Sequence, residues 1–433
     1  MVHNSETVCL GAPFSFFLDN DSKKFPMHPL HPFHPMYLLI LCALLLCGCR
    51  GKGGVCAEEK HELPVIYIST GGEIPWEERC PCTIGYVAGG DSLSLPARIK
   101  CRGGLSSKYP KHSFALKFGS KVSLCGLPEN KSWVLNASYI DKTFMRHKLC
   151  YDLFRMMGDY NAAPQCAYAR VCENGHNRGL YVVMQRLNRR SLRIGKQDST
   201  ALIFKEPKVF YPDSLLPKRN DTDPNYHDQT YPEVDKAGYK GKVMDDFRHF
   251  LRTASDKEFE EKIWQWVDRR NIIDWHLLIL FTNGGDGVYK NFYLYRRGEG
   301  EPFRVALWDC DHSFGRDGDN ELNMLARPAN HLKNIMLKRL WANDDYRRAL
   351  AERYTELHQS GIFSIANIKK MVEQNDNLIR SAIDENARLW GYSGEFYFDD
   401  NTYEQEKSLI LEFVPLSLRH MEEVLQTKVP ARR

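Results

Sequence analysis

Asn283-Gly284-Gly285-Asp286-Gly287-Val288-Tyr289-Lys290-Asn291, and a little further on Trp308-Asp309-Cys310-Asp311-His312-Ser313-Phe314-Gly315, form the stretch that decides the fold of this chain. Between them run Phe292-Tyr293-Leu294-Tyr295-Arg296, a turn at Arg297-Gly298-Glu299-Gly300, and Phe303-Arg304-Val305-Ala306-Leu307-Trp308. Two aromatic and β-branched segments around a Gly-rich turn predict a β-hairpin. A short hairpin returns the chain beside its own start, so Asn291 and Asp309 are expected at neighbouring strand ends. Asp286, Asn291, Asp309 and Asp311 then converge on one point, and their oxygens are the ligands a hard divalent cation takes. Either group alone would read as a strand cap, since Asp and Asn are ordinary turn residues. Delivered together by apolar strands, they predict a metal site.

Working outward, the segment from Leu63 to about Lys205 reads as short strands. Pro64 to Thr70 is one strand. Ala97 to Cys101 and Ser113 to Phe118 flank the loop Arg102-Gly103-Gly104-Leu105-Ser106-Ser107-Lys108-Tyr109-Pro110-Lys111. That loop has the parts of a phosphate-gripping hairpin: glycines for close backbone approach, hydroxyls and cations. It is not a Walker A sequence, and an exposed basic hairpin would look the same. Trp133-Val134-Leu135 leads through Asp141-Lys142-Thr143 to a helix expected over Phe144 to Met157, with Arg146 just after its cap. A second hairpin is expected about Asn174-Gly175, a strong turn signal. Ala201 to Lys205 is an apolar strand. Glu206 to Lys242 is polar and without periodicity, which predicts a long loop.

Beyond it the pattern turns helical. Ser255-Asp256-Lys257-Glu258 is a capping box, Ile272 to Phe281 is the apolar helix that delivers Asp286, and three further helical stripes follow to Leu425. The expected class is α+β, with a β-rich lobe over residues 63–242 and a helical lobe over 243–433 that carries the metal and catalytic groups.

The 433 residues carry 43% hydrophobic and 26% charged side chains, an ordinary globular balance. A net charge of +4 spread over 59 basic and 55 acidic residues gives no case for nucleic-acid binding. Met36 to Gly48 is an unbroken apolar run, short for a bilayer span and right for a signal-peptide core. Its ending, Leu46-Cys47-Gly48-Cys49, is similar to a bacterial lipobox, which makes Cys49 the expected lipidated residue and residues 50–62 a tether. Met27 and Met36 are alternative starts. The expected location is therefore the cell envelope, anchored to a membrane through lipid. Thirteen cysteines occur, eight of them beyond residue 62; an even number permits disulfides without fixing their pairing.

From about Pro64 to Leu425 the chain resembles the spore-coat protein H (CotH) kinase-like family. The resemblance is carried by Arg102-Gly103 with Ser106-Ser107 and Pro110-Lys111, Trp133-Val134-Leu135 with Asp141-Lys142-Thr143 and Arg146, Asn174-Gly175 with Gly179-Leu180-Tyr181, Lys205, the Asp286/Asn291 pair and Trp308-Asp309-x-Asp311-x-Ser313-Phe314-Gly315. The Asp-x4-Asn spacing is that of a protein-kinase catalytic loop, and the later group resembles an expanded Asp-Phe-Gly element. The resemblance implies an atypical protein-kinase-like two-lobed fold, ATP and Mg as cofactors, and phosphate transfer to a hydroxyl of a protein substrate. It implies Asp286 as the base or orienting carboxylate, Asn291 as metal ligand, Asp309 as the main Mg ligand supported by Asp311, and Arg102, Lys111, Lys117 and Lys205 around the nucleotide. Gln185 departs from the pattern, standing at the end of a strand where many relatives have Glu. A degenerate scaffold acting as a surface binding protein, and a metal-dependent hydrolase with water as nucleophile, are the competing readings.

Overall fold

The computed structural model describes residues 63–195, 200–219, 225–391, 395–397 and 399–426. The signal-like run, Cys49 and the tether lie outside the described residues.

Seven strands close into a barrel: β1 (Val65–Thr70), β2 (Cys80–Ala88), β3 (Asp91–Arg102), β4 (Ser113–Val122), β5 (Asn130–Asn136), β6 (Cys166–Glu173) and β7 (His176–Gln185), in the order β1-β2-β3-β4-β5-β7-β6. All pairs are antiparallel except β1 with β6, which close the barrel in parallel. Alternation along each strand fills the interior with Ile66, Ile84, Ile99, Leu116, Trp133, Leu135, Tyr181 and Val183. At the β6–β7 turn, Asn174 and Gly175 both take positive φ, 48° and 81°. That is the type I′ geometry that suits a two-residue hairpin.

A second sheet holds β8 (Leu202–Lys205), β9 (Gln229–Tyr231), β10 (Phe292–Arg296) and β11 (Arg304–Leu307), in the order β11-β10-β8-β9. The helices of eight or more residues among the described residues are α1 (Arg146–Met157), α2 (Lys242–Thr253), α3 (Asp256–Trp266), α4 (Arg269–Thr282), α5 (Ile335–Ala342), α6 (Asp344–Gln359), α7 (Ile365–Trp390) and α8 (Tyr403–Val424). Ser255 caps α3 by accepting the Glu258 N–H at 3.2 Å. The chain is thus a mixed helix and strand protein with a β-rich N-terminal region and a helical C-terminal region.

Two expectations change. A boundary at residue 242 would cut the second sheet, because β8, paired with β9, comes from before it and pairs with β10 from beyond it. The segment 206–242 contributes β9 to that sheet and is not a plain loop. Its polar composition hides a strand of only three residues, too short to show a period. The outer face of the barrel is also no free surface. Val134, Val182 and Met184 point outward and join the same apolar cluster as α1, α4 and β10.

Candidate functional site

Helix α4 is buried along almost its whole length, so its C-terminus is a fixed platform. Asn283 ends it in the left-handed conformation (φ 54°), and its Oδ1 accepts the Ala329 N–H at 2.5 Å. A single 3₁₀ turn, Gly285–Gly287, then presents Asp286. One carboxylate oxygen of Asp286 pairs with Lys290 Nζ at 2.7 Å, and the other accepts from Asn291 Nδ2 at 2.6 Å. With its amide nitrogen committed in this way, Asn291 has its carbonyl oxygen to offer a cation. Burial works to lower the Lys290 pKa, but the Asp286 carboxylate more than offsets it and leaves the ammonium raised.

The hairpin closes as its sequence requires. Phe292 faces Leu307, and the Trp308 N–H donates to Asn291 O at 3.2 Å. A second tie comes from the Phe314 N–H to Thr282 O at 2.9 Å. Asp286, Asn291 and Asp309 consequently line one small cavity. Asn291 and Asp309 both hold positive φ, 61° and 54°, a conformation that costs a non-glycine residue about 1–3 kcal/mol and clusters at functional sites. At Gly315 (φ 96°) a Cβ would come within 2.8 Å of Met324 Sδ, so the segment passes there only as glycine.

Asp311 joins through His147, a fully buried residue of α1. Ligand atoms of His147, Asp309 and Asp311 lie within 4.8 Å of one another. Arg146, beside it, donates from Nε to Ser313 O at 3.0 Å and ion-pairs with Asp141 and Glu406 at 2.7 and 3.1 Å. Arg316 also pairs with Glu406, and with Asp399 at 2.7 Å. The Asp141 to Arg146 block is therefore an internal ion network that fastens α1 and α8 to the Ser313–Arg316 segment. Burial raises the Asp141 pKa, and Arg146 overrides it to leave the carboxyl below its usual range.

The expected nucleotide contacts disperse. Arg102 does reach the site, its guanidinium lying 5.6 Å from the Trp308 ring centre. Tyr109 of the same loop is close enough that Asp311 and Asp309 add to burial in raising its pKa. Gly103 (φ 146°) lets Ser106 fold against it, since a Cβ there would meet Ser106 Oγ at 2.3 Å. Lys111 is placed differently from expectation. Its ammonium is enclosed between the barrel and α7, bonded to Ala137 O at 3.1 Å, Asn386 Oδ1 at 2.9 Å and Leu180 O, and it presents no donor to a cleft. Lys117 bonds Ser132 Oγ at 3.1 Å on the outer strand face, its pKa lowered by burial and by Arg79 and Arg186. Lys205 is engaged by Glu206 at 3.0 Å. Gln185 is buried at the barrel rim, where its Nε2 donates to Pro128 O. Charge in a strand sequence does not say which neighbour will claim it.

His147, Tyr151 and Lys290 were not singled out by the sequence. Lys290 adjoins Asn291 in the deciding stretch, a signal that was available. His147 and Tyr151 contact residues about 160 positions away, and nothing local marks them.

In a mixed α and β protein, three carboxylates and an amide oxygen gathered at a hairpin mouth make a candidate cation site. Residues 99–421 match the family model described as "CotH kinase protein", and the chain belongs to that family. It is 29% identical over 227 residues to the inner spore coat protein H of Bacillus subtilis (strain 168), an alignment covering 52% of this chain and 60% of that protein. The chain thus spans about 60% of the length of that relative.

Proposed function

We propose that this chain is a Mg-ATP-dependent phosphotransferase with a kinase-like two-lobed arrangement, the barrel serving as nucleotide lobe and the helices as catalytic lobe, and that it phosphorylates a hydroxyl of a protein. The observation that carries the proposal is the convergence of Asp286, Asn291 and Asp309 on one cavity, with Asp311 alongside through His147. Carboxylate and amide oxygens fit Mg, which seeks hard oxygen ligands. Asn291 Oδ1, Asp309 and Asp311 would hold it. When bound, the metal-nucleotide supplies an activated phosphoryl group.

The chain's own residues do the rest. Asp286, fixed by Lys290 and Asn291, orients the attacking hydroxyl and receives its proton. Lys290, kept protonated by that pairing, sets a positive charge beside the reacting centre. Arg102, beside Trp308, and Tyr109, near Asp309 and Asp311, bring the 102–111 loop toward the acidic group, where phosphate oxygens need donors. Cys49 is proposed as a lipid anchor, and the spore-coat relative supports an extracytoplasmic location.

A thermal-shift titration of the chain with Mg-ATP tests the proposal. At a hundred times the dissociation constant, binding stabilises by about 2.7 kcal/mol. Radiolabel carried from the γ-phosphate to protein is the second expected result, and label released only as free phosphate would favour a hydrolase. A chain whose melting temperature ignores Mg-ATP refutes the reading.

A further inference from the structure

Helix α1 holds the loop of metal ligands by side chains from little more than one turn. Arg146 Nε donates to Ser313 O, and Cys150 Sγ lies 3.4 Å from Ser313 Oγ. The Tyr151 hydroxyl accepts the Asp309 N–H at 2.9 Å, and His147 Nδ1 accepts the Cys310 N–H at 3.0 Å. The His147 and Tyr151 rings stack at 5.8 Å. A backbone N–H can only donate, so Nδ1 offers its lone pair and the hydrogen of the neutral ring sits on Nε2. Nε2 stands 3.8 Å from Asp309 Oδ1 and 3.9 Å from Asp311 Oδ2, beyond hydrogen-bond reach; it also lies 3.1 Å from Asn136 Nδ2, a donor that this tautomer leaves without an acceptor on the ring. An Nε2 that carries hydrogen has no lone pair for a cation. His147, Asp309 and Asp311 look like three ligands by distance, but the Cys310 N–H removes the histidine from the set.

We propose that His147 and Tyr151 are positioning residues of the cation site: they grip two successive backbone N–H groups, keep Asp309 in its left-handed turn, and aim the carboxylates of Asp309 and Asp311 at one cation, with His147 outside the ligand set. The proposal rests on the metal-dependent reading above. Its test reads cation binding without phosphate transfer, so the two can fail separately.

Mn²⁺ is titrated into the full chain and followed by electron paramagnetic resonance, with pulsed measurements for nitrogen coupling and thermal unfolding for the fold. Wild type is expected to bind Mn²⁺ without imidazole coupling. Tyr151→Phe, which deletes one oxygen and keeps the ring, should melt close to wild type and bind about tenfold more weakly, the usual loss when a group orienting a ligand is removed. His147→Phe should lose as much or more. His147→Gln, whose amide oxygen can accept from the Cys310 N–H, should recover most of it. Imidazole coupling in wild type would overturn the proposal, as would Tyr151→Phe binding like wild type; the latter result decides even if His147→Phe fails to fold. Wild type that binds no Mn²⁺ sinks the metal-dependent reading itself, and this proposal with it.

Discussion

Lys111→Met separates a structural lysine from a phosphate-binding one. The Lys111 ammonium is wholly buried, with no carboxylate partner among the described residues. It donates to Ala137 O, Leu180 O and Asn386 Oδ1 and lies over the rings of Tyr181 and Phe144, at 4.4 and 4.9 Å. Burial pushes its pKa well below the ordinary lysine range. Asn386 Oδ1 also accepts the Leu180 N–H at 3.2 Å, and it can approach because a Cβ on Gly179 would come within 2.5 Å of it. Lys111 therefore ties β7 to α7 through shared acceptors. Methionine fills much of the volume but leaves these acceptors short of a donor. Hydrogen bonds to a charged group are worth about 1.5–3 kcal/mol each, and relief from burying a charge returns part of that. A net loss of about 3 kcal/mol remains, which at about 2 °C per kcal/mol for a chain of this size lowers the melting temperature by about 6 °C. Thermal unfolding and an ATP titration are run on the same preparation. The variant should melt early and bind ATP as wild type does. Unchanged melting with a tenfold or greater loss of ATP affinity would refute the structural assignment and restore Lys111 to the nucleotide.

Asp309→Asn should abolish Mg-ATP-dependent transfer while melting within about 2 °C of wild type, because it removes charge from a half-exposed carboxylate and no apolar contact. Asp286→Asn should abolish transfer but retain Mg-ATP binding, measured by thermal shift. Gln185→Glu should destabilise by about 1–2 kcal/mol in urea unfolding, because it exchanges a donor to Pro128 O for a carboxylate facing a carbonyl; equal or greater stability would show that this contact is dispensable. Acid should weaken the fold through His276 and His331, whose rings meet at 2.8 Å beneath the 329–334 segment. Burial and His331 hold the His276 pKa well below its usual value, and burial and His420 bring that of His331 to about 4. Both rings stay neutral in the fold while the unfolded chain takes up protons near pH 6.5, so stability is full above that pH and falls as pH drops toward 4. His331→Gln should flatten a pH series of unfolding free energies from urea melts by at most about 3 kcal/mol across that window, and by less to the extent that solvent screens the half-buried ring.

Some of this molecule is set by residues close in sequence. The Asn174-Gly175 turn, the Phe292–Leu307 hairpin and the mixed α and β class follow from two- and three-residue periods and turn chemistry, which act over a few positions. The hairpin's length also sets Asn291 beside Trp308, so half of the acidic site was legible before any tertiary contact. What covers each face was not. Lys111, Lys117, Lys205 and Gln185 read alike as polar groups on or beside strands, yet burial claims one, a neighbouring hydroxyl or carboxylate two, and a carbonyl the last. His147 and Tyr151 approach Asp309 and Cys310 only because α1 packs between barrel and α4. Strand and helix periods tell which side chains share a face. Only packing of remote segments decides what that face meets, and hence which polar groups are left for chemistry.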